Sequence, residues 1–299
     1  MELRQLRYFL AVADHLHFTE AAARLGIAQP PLSQQILKLE REVGTALFIR
    51  HPRRVELTEA GRLLRDSAQR IVDDAQQALV EAQNAGRGET GRLLLGFAGS
   101  TVFHPVVAST MQQFRHAYAR VVISCEESNS VALLDKVNAR KIDAALVRIP
   151  LHCGDLVVEP LVSEDMIAVL PEDHPRSQHK RIDLADLADD PFITFPRAIG
   201  PNLYDSIVGA CHAAGFVPSI GMESPQISSA ANLVSAGFGV AVVPASIRQV
   251  QVAGVSYHEL RGNPLSTGIA LIHRQRERSP AVVNFVRVLR QCRATASML

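Results

Sequence analysis

The residues with the clearest chemical potential lie between Phe18 and Leu39, FTEAAARLGIAQPPLSQQILKL. Wound at roughly 100° per residue, the helix that begins around Gln29, Pro30 and Pro31 puts Leu32, Ile36, Leu39 and Val43 on one face. Pro30, Ser33, Gln34, Lys38 and Arg41 fall on the other. Hydroxyl and amide groups near a helix N-terminus, backed by basic side chains, suit the base edges and phosphates of a major groove. Ser33 and Gln34 are the candidate base contacts, and Pro30 and Pro31 position the helix start. Periodicity alone leaves an ordinary helical hairpin with a solvated face as an equal reading. Downstream, Leu47–Thr58 reads as two short β-type runs around a basic tip, with Arg50, Arg53 and Arg54 placed for a phosphate backbone.

A second group of polar residues sits where strands turn into helices. Gly99-Ser100-Thr101, Ser128-Asn129 and Gly200-Pro201-Asn202 each occupy such a turn, and Arg148 ends a strand. Ligands of α/β sheets bind beyond the carboxyl ends of strands, where helix N-termini offer free N–H groups and a positive dipole. A guanidinium there can grip a carboxylate with two parallel bonds. Each turn taken singly reads as a helix cap, and Arg148 taken singly as a salt-bridge partner. Their coincidence points to a small anion in a cleft, with Phe103, Phe195 and Ile269 as apolar walls.

Catalytic patterns do not appear. His104, His116, His152, His174 and His179 lack H-E-x-x-H or C-x-x-C partners, and no G-x-S-x-G elbow or Walker loop is present. The carboxylates of Glu126/Glu127 and Asp189/Asp190 are adjacent pairs, which a strand points to opposite faces. The expectation is a non-enzyme with no metal and no cofactor.

The elements that must position these groups follow from pattern. Leu6, Phe9, Leu10, Ala13 and Leu16 form the apolar face of a first helix. Thr19 is expected to cap a second, Glu20 to complement its dipole, and Gly26 to end it. Thr58 should cap a long helix reaching about Ala85. In it Leu64, Ala68, Ile71, Ala75, Ala78 and Ala82 alternate steps of four and three, a heptad seam suited to a partner helix, with Val72 and Leu79 widening the stripe. A glycine-rich hinge at 84–91 follows.

From Arg92 strands and helices alternate. Strands are expected at 93–97, 121–125, 142–147, 156–162, 166–170, 192–195, 217–222, 240–243 and 268–273. Helices are expected at 103–118, 131–139, 202–213, 227–236 and 280–292. Such βαβ alternation implies parallel sheets covered by helices.

At 299 residues, net charge +1 and 47% hydrophobic residues, the chain can build more than one core. A basic surface must therefore be local. Glu2, Arg4, Arg7 and Asp14 interrupt any apolar signal core, and no run approaches a membrane span. Cys125, Cys153, Cys211 and Cys292 are widely separated, as expected of reduced, mostly buried cytoplasmic thiols.

Met1–Gly61, with AQPPLS at 28–33 and the basic β-hairpin, resembles the DNA-binding domain of LysR-type bacterial transcriptional regulators nearly position for position. AGFGVAVVPAS at 236–246 and Leu170-Pro171-x-x-His174-Pro175 resemble the same family's effector domain. The resemblance implies a winged helix-turn-helix at 1–58 and a linker and dimerisation helix at 59–88. It also implies a two-lobed α/β, periplasmic-binding-protein-like domain, with lobe I at 92–161 plus 268–299 and lobe II at 162–267. On that reading Thr19, Gln29, Pro30, Pro31, Ser33, Gln34, Lys38, Arg50, Arg53 and Arg54 address double-stranded DNA. Ser100, Thr101, Ser128, Asn129, Arg148, Phe195, Pro201, Asn202 and Ile269 address a small organic acid.

The FAGS…SN…R…PN constellation looks closest to the branch governing aromatic-compound catabolism, so an aromatic or dicarboxylic acid is expected. A homodimer through the linker helix, a homotetramer, and RNA polymerase as a candidate further partner belong to the same implication. Three departures stand out: Gln34, which favours adenine, where many members carry arginine, which favours guanine, and Asn129 and Leu203 where the muconate sensors carry Thr and Phe. The rival classes are a cytoplasmic enzyme or solute-binding protein on the same two-lobed fold, and a dimeric DNA-compacting protein.

Overall fold

Glu2 and Gln5 begin the fold by capping one another, with Glu2 N donating to Gln5 Oε1 at 2.8 Å. The helix that follows, α1 (Leu3–His15), buries Leu6, Phe9, Leu10 and Ala13. Leu16, expected on that face, is exposed, because it takes the left-handed conformation (φ 48°) that ends the helix. The cap of α2 (Phe18–Leu25) is His17, whose Nδ1 accepts from Glu20 N, so Thr19 lies inside the first turn instead of capping it. Burial of Phe18 starts the helix one residue before the expected cap. Gly26 (φ 69°) closes α2, and α3 (Gln29–Val43) buries Leu32, Ile36 and Leu39. Val43 is exposed, since Gly44 turns the chain away immediately after it.

The computed structural model describes residues 1–51, 54–262 and 265–296. β1 (Phe48–Arg50) and β2 (Val55–Leu57) pair antiparallel, Phe48 opposite Leu57 and Arg50 opposite Val55. Arg53 lies outside the described residues. Thr58 starts α4 (Glu59–Gly86): its Oγ1 accepts from Gly61 N at 2.9 Å and donates to Ala46 O at 2.8 Å. Leu64, Ala68 and Val72 pack into the core made by α1, α2, α3 and the hairpin. The proximal part of the expected seam is therefore occupied by its own unit. Ile71 on another face and, farther along, Ala78, Leu79 and Ala82 are exposed. The chain divides into two compact units, Met1–Asn84 and Ala85–Leu299.

The second unit runs β3 (Thr90–Ala98), α5 (Pro105–Ala117), β4 (Arg120–Ser128), α6 (Ser130–Asn138), β5 (Ala144–Ile149) and β6 (Leu156–Pro171). It continues with β7 (Arg181–Ile182), β8 (Pro191–Thr194), α7 (Pro201–Ala213), β9 (Ser219–Glu223), α8 (Ala230–Ser235) and β10 (Val240–Pro244). β11 (Val255–Leu260), β12 (Ser266–Arg274) and α9 (Pro280–Ala296) complete it. The strand order is β4-β3-β5-β12-β6-β10-β8-β9, with β11 joining β6 to β7.

Three features differ from the pattern reading. Residues 156–171 form one strand where two were expected, because the polar stretch Ser163-Glu164-Asp165 keeps its ladder with β12, Asp165 facing Ser266. The sheet is mixed and not parallel: β12 runs antiparallel to both β5 and β6, and β10 antiparallel to β6. β7 and β11, too short or too polar to stand out, were not expected at all.

The first half of β6 belongs to one lobe and its second half to the other. Each lobe is a sheet between helices. In the first, α5 and α9 cover one face, with Phe114 and Phe285 ring to ring at 5.2 Å, and α6 covers the other. In the second, α7 covers one face and α8 the other. The last strand and helix thus return to the first lobe.

Candidate functional site

The strand-to-helix turns of the two lobes converge on one cavity. From the first lobe come Gly99, Ser100, Asn129, Ser130 and Arg148, with Ile149, Pro150 and Leu151 as apolar wall. From the second come Phe195, Pro201, Asn202 and Leu203, with Gln226 and Ile227 opposite Gly99. The first turns of α6 and α7 both face this space, so main-chain N–H groups without intrahelical partners border it.

Local sequence explains the placement. Asn129 caps α6, its Oδ1 accepting from Ala132 N at 2.9 Å. Pro201 occupies the first turn of α7, where a missing N–H costs nothing. Asn202 Nδ2 donates to Pro150 O at 3.1 Å and so ties the second lobe to the first.

Arg148 is buried and fully engaged at the centre. Its Nε donates to Ser100 Oγ and its Nη2 to Ser100 O, both at 2.9 Å, and Nη2 also reaches Ser246 Oγ at 3.4 Å. Its Nη1 donates to Glu164 Oε1 at 2.5 Å. Glu164 Oε2 accepts from Ser246 N at 2.6 Å, and its Oε1 accepts from Ser246 Oγ at 3.1 Å. Burial pulls the Arg148 pKa down while the neighbouring Glu164 carboxylate pushes it back up. Of the two readings of Arg148, the salt-bridge partner is present, since the protein supplies its own carboxylate, while Arg148 also lines the cavity. Burial also lowers the pKa of His104 nearby, against the pull of Glu164 and with the push of Arg148.

Four other expected contacts lie elsewhere. Thr101 is fully buried, its Oγ1 donating to Ala98 O at 2.8 Å. Ser128 is the last residue of β4 and does not line the cavity. Ile269 lies opposite Arg148 on β12, but its side chain belongs to the first lobe's core. Phe103 packs against the second lobe's core and not the cavity. Pattern reading missed Glu164, Ser130 and Gln226. Glu164 was hidden by lying between two expected strands, and only a buried charge within a continuous strand could have marked it.

On the first unit, Thr19, Gln29, Pro30, Pro31, Gln34 and Lys38 are exposed, and Ser33 is half-buried. Arg50 is engaged locally. It bonds Glu40 Oε2 at 3.0 Å, reaches Ser33 Oγ at 3.4 Å and stands 4.9 Å from the centre of the Phe18 ring. Glu40 draws it there because its other oxygen already caps Leu47 N and Phe48 N. Arg54, well exposed, pairs with Glu56 at 2.9 Å. That surface pair is worth little and yields readily to a phosphate.

Residues 3–62 match the family model for bacterial regulatory helix-turn-helix proteins of the lysR family, and residues 86–293 match that of the LysR substrate binding domain. The chain belongs to the LysR family of transcriptional regulators. It is 39% identical to the HTH-type transcriptional regulator BudR of Raoultella terrigena over 96% of this chain and 99% of that one. The crystal structure of CbnR, a LysR family transcriptional regulator, superposes with a TM-score of 0.87 at 26% identity, covering 97% of this chain and all (100%) of the other. Full-length CbnR complexed with its target DNA superposes with a TM-score of 0.84 at 26% identity, covering 98% and 100%. The regulator is thus a DNA-binding protein and not an enzyme, with a helix-turn-helix domain followed by a two-lobed α/β effector domain. Among the described residues no helix is long and apolar enough to cross a membrane.

Proposed function

We propose that this LysR-family regulator is a cytoplasmic sensor of a small organic acid that binds between its two lobes and controls a catabolic operon. The observation that carries the reading is the convergence of Ser100, Asn129, Arg148 and Asn202 on one cavity bordered by two helix N-termini. Aromatic and dicarboxylic acids are the starting candidates, by resemblance to the aromatic-catabolism branch. Acid binding favours one closure of the lobes and shifts a pre-existing equilibrium. The short connection ahead of β3 is held by Asn284 Nδ2, which donates to Arg87 O at 2.8 Å.

The exposed row Ile71, Ala78, Leu79 and Ala82 on α4 supports a homodimer through that helix. A tetramer and contact with RNA polymerase extend the same reading. Exposure of Gln29, Pro30, Pro31, Gln34 and Lys38 supports α3 as the element entering the major groove, with Ser33 and Gln34 reading bases. Arg54 and, through its link to Ser33, Arg50 would support the backbone contacts, with Arg53 beside them in the sequence.

The test is selection of binding sites from random duplex DNA with the full-length protein, followed by anisotropy titrations with and without a panel of organic acids. The reading expects paired half-sites about one helical turn apart, roughly 34–36 Å, and an acid that alters their occupancy. Selection without any sequence enrichment, together with no response to any acid, would assign a DNA-compacting role instead.

A further inference from the structure

Ser33 lies on α3 and Arg50 at the end of β1, and one carboxylate brings them together. Glu40, largely buried on the same helix as Ser33, accepts from Leu47 N and Phe48 N through Oε1, at 2.9 and 3.2 Å. Its Oε2 accepts from Arg50 Nη2 at 3.0 Å. The guanidinium lies over the Phe18 ring, 4.9 Å from its centre, and its Nη1 donates to Ser33 Oγ at 3.4 Å. Two backbone N–H groups thus hold the carboxylate, the carboxylate and the ring hold the guanidinium, and the guanidinium addresses the hydroxyl.

That order sets the polarity of Ser33. A serine hydroxyl has one proton and two lone pairs, and inside a helix it can return the proton to the carbonyl four residues back. Thr110 and Ser206 do so, reaching Val106 O and Asn202 O at 2.7 and 2.8 Å. The Ser33 side chain makes no such bond, and its one partner among the described residues is Arg50. A cationic donor on the oxygen turns the hydroxyl proton outward and strengthens it as a donor. A second donor approaching that oxygen meets the positive charge of the guanidinium. In the major groove, purine N7, guanine O6 and thymine O4 accept hydrogen bonds, whereas cytosine presents only its N4 amino donor.

We propose that Arg50, anchored by Glu40, fixes Ser33 as a hydrogen-bond donor, so that Ser33 reads a groove acceptor and excludes cytosine at the base it faces. The inference rests on the reading of α3 as the element entering the major groove, and assigns the chemistry of one of its contacts. Glu40 is a positioning residue in it, acting through Arg50.

The test is anisotropy with the full-length protein on the site selected from random DNA. The pair faced by Ser33 is the one whose preference Ser33→Ala relaxes. At that pair the N7, O6 or O4 acceptor is removed or weakened with 7-deaza or thio base analogues, and cytosine is introduced separately. The analogue should cost wild type roughly threefold to tenfold, the worth of one neutral hydrogen bond, and should cost Ser33→Ala nothing. Cytosine should cost wild type at least about tenfold, since the serine proton then faces another donor. Arg50→Met keeps an apolar stem for the Phe18 ring but lets the hydroxyl turn and accept, so the cytosine penalty should fall to about threefold or less. Glu40→Gln retains an acceptor for Leu47 N and Phe48 N while turning an amide donor toward Arg50, and should lower the penalty in the same way.

A wild type that tolerates cytosine at that pair, or a penalty unchanged in Arg50→Met, overturns the proposal. So does Ser33→Ala if it has no effect, or if it weakens selected and random DNA alike as loss of a phosphate contact would. A penalty unchanged in Glu40→Gln alone removes the anchoring role of Glu40. Selection without any sequence enrichment would instead remove the major-groove reading itself.

Discussion

Arg148 Nη1 and Glu164 Oε1 lie 2.5 Å apart with both side chains less than a tenth exposed, one on β5 and the other where β6 passes from the first lobe to the second. Removing one member strands the other's charge away from water, a loss of about 3–5 kcal/mol. Arg148→Ala is therefore expected to lower the unfolding midpoint in urea strongly, whatever its effect on ligand. Arg148→Met combined with Glu164→Leu leaves no stranded charge and should recover most of the loss. A double variant as unstable as Arg148→Ala would show that the hydrogen bonds to Ser100 and Ser246, and not the charge pairing, carry the stability.

Gln34 is exposed on α3, one residue beyond the half-buried Ser33. Gln34→Ala should weaken binding to the selected site by about 1–3 kcal/mol and relax preference at one base pair, with binding to random DNA unchanged. Anisotropy on both DNAs decides this, and equal losses on the two would make Gln34 a backbone contact. Arg54→Ala, in contrast, should weaken both alike and flatten the salt dependence.

Ile71 and Leu79 lie exposed eight residues apart on α4, off the face whose Leu64, Ala68 and Val72 pack against their own unit. A glutamate at either position would bury a charge in a helix pair, yet costs the isolated chain little because both sites are open. Ile71→Glu and Leu79→Glu are each expected to convert the assembly to monomers in sedimentation velocity while leaving the thermal transition of the effector domain in place. An unchanged assembly would move the interface off this row.

His258 is buried on β11, where Nδ1 meets His179 O at 2.5 Å and Nε2 meets Ser256 Oγ at 2.7 Å. Burial lowers its pKa below the ordinary value of 6.5, outweighing the His179 carbonyl that favours the charged ring. The unfolded chain therefore takes up a proton near 6.5 that the folded chain takes up only at lower pH. Stability is full above that pH and declines beneath it, and His104, shifted in the same direction, adds to the slope. Melting curves between pH 8 and pH 5 (about the span of ordinary histidine titration) should show this decline. His258→Gln should make it shallower, and an undiminished slope would place its origin in other groups.

Much of the architecture was written in local pattern. The 3.6-residue spacing of Leu32, Ile36 and Leu39, the glycine after Leu25 and the hydroxyl of Thr58 determine helix faces and ends, since each acts within a turn or two of its own position. The turns carrying Ser100, Asn129 and Asn202 could be found because strand-to-helix junctions recur with the βαβ pattern. Other features were decided by residues far apart in sequence. Leu64 and Ala68 face their own unit where periodicity offered them to a partner. The antiparallel entry of β12 between β5 and β6 joins residues more than a hundred positions apart. The charge state of the cleft was likewise illegible. Arg148 by itself reads as an anion-binding group, and only the fold of β6 brings Glu164 against it, sixteen residues away in sequence and 2.5 Å away in space. Local pattern determines which faces and caps are available. Long-range packing decides which of them are already satisfied, because burial makes an unpaired charge too costly to leave for a ligand.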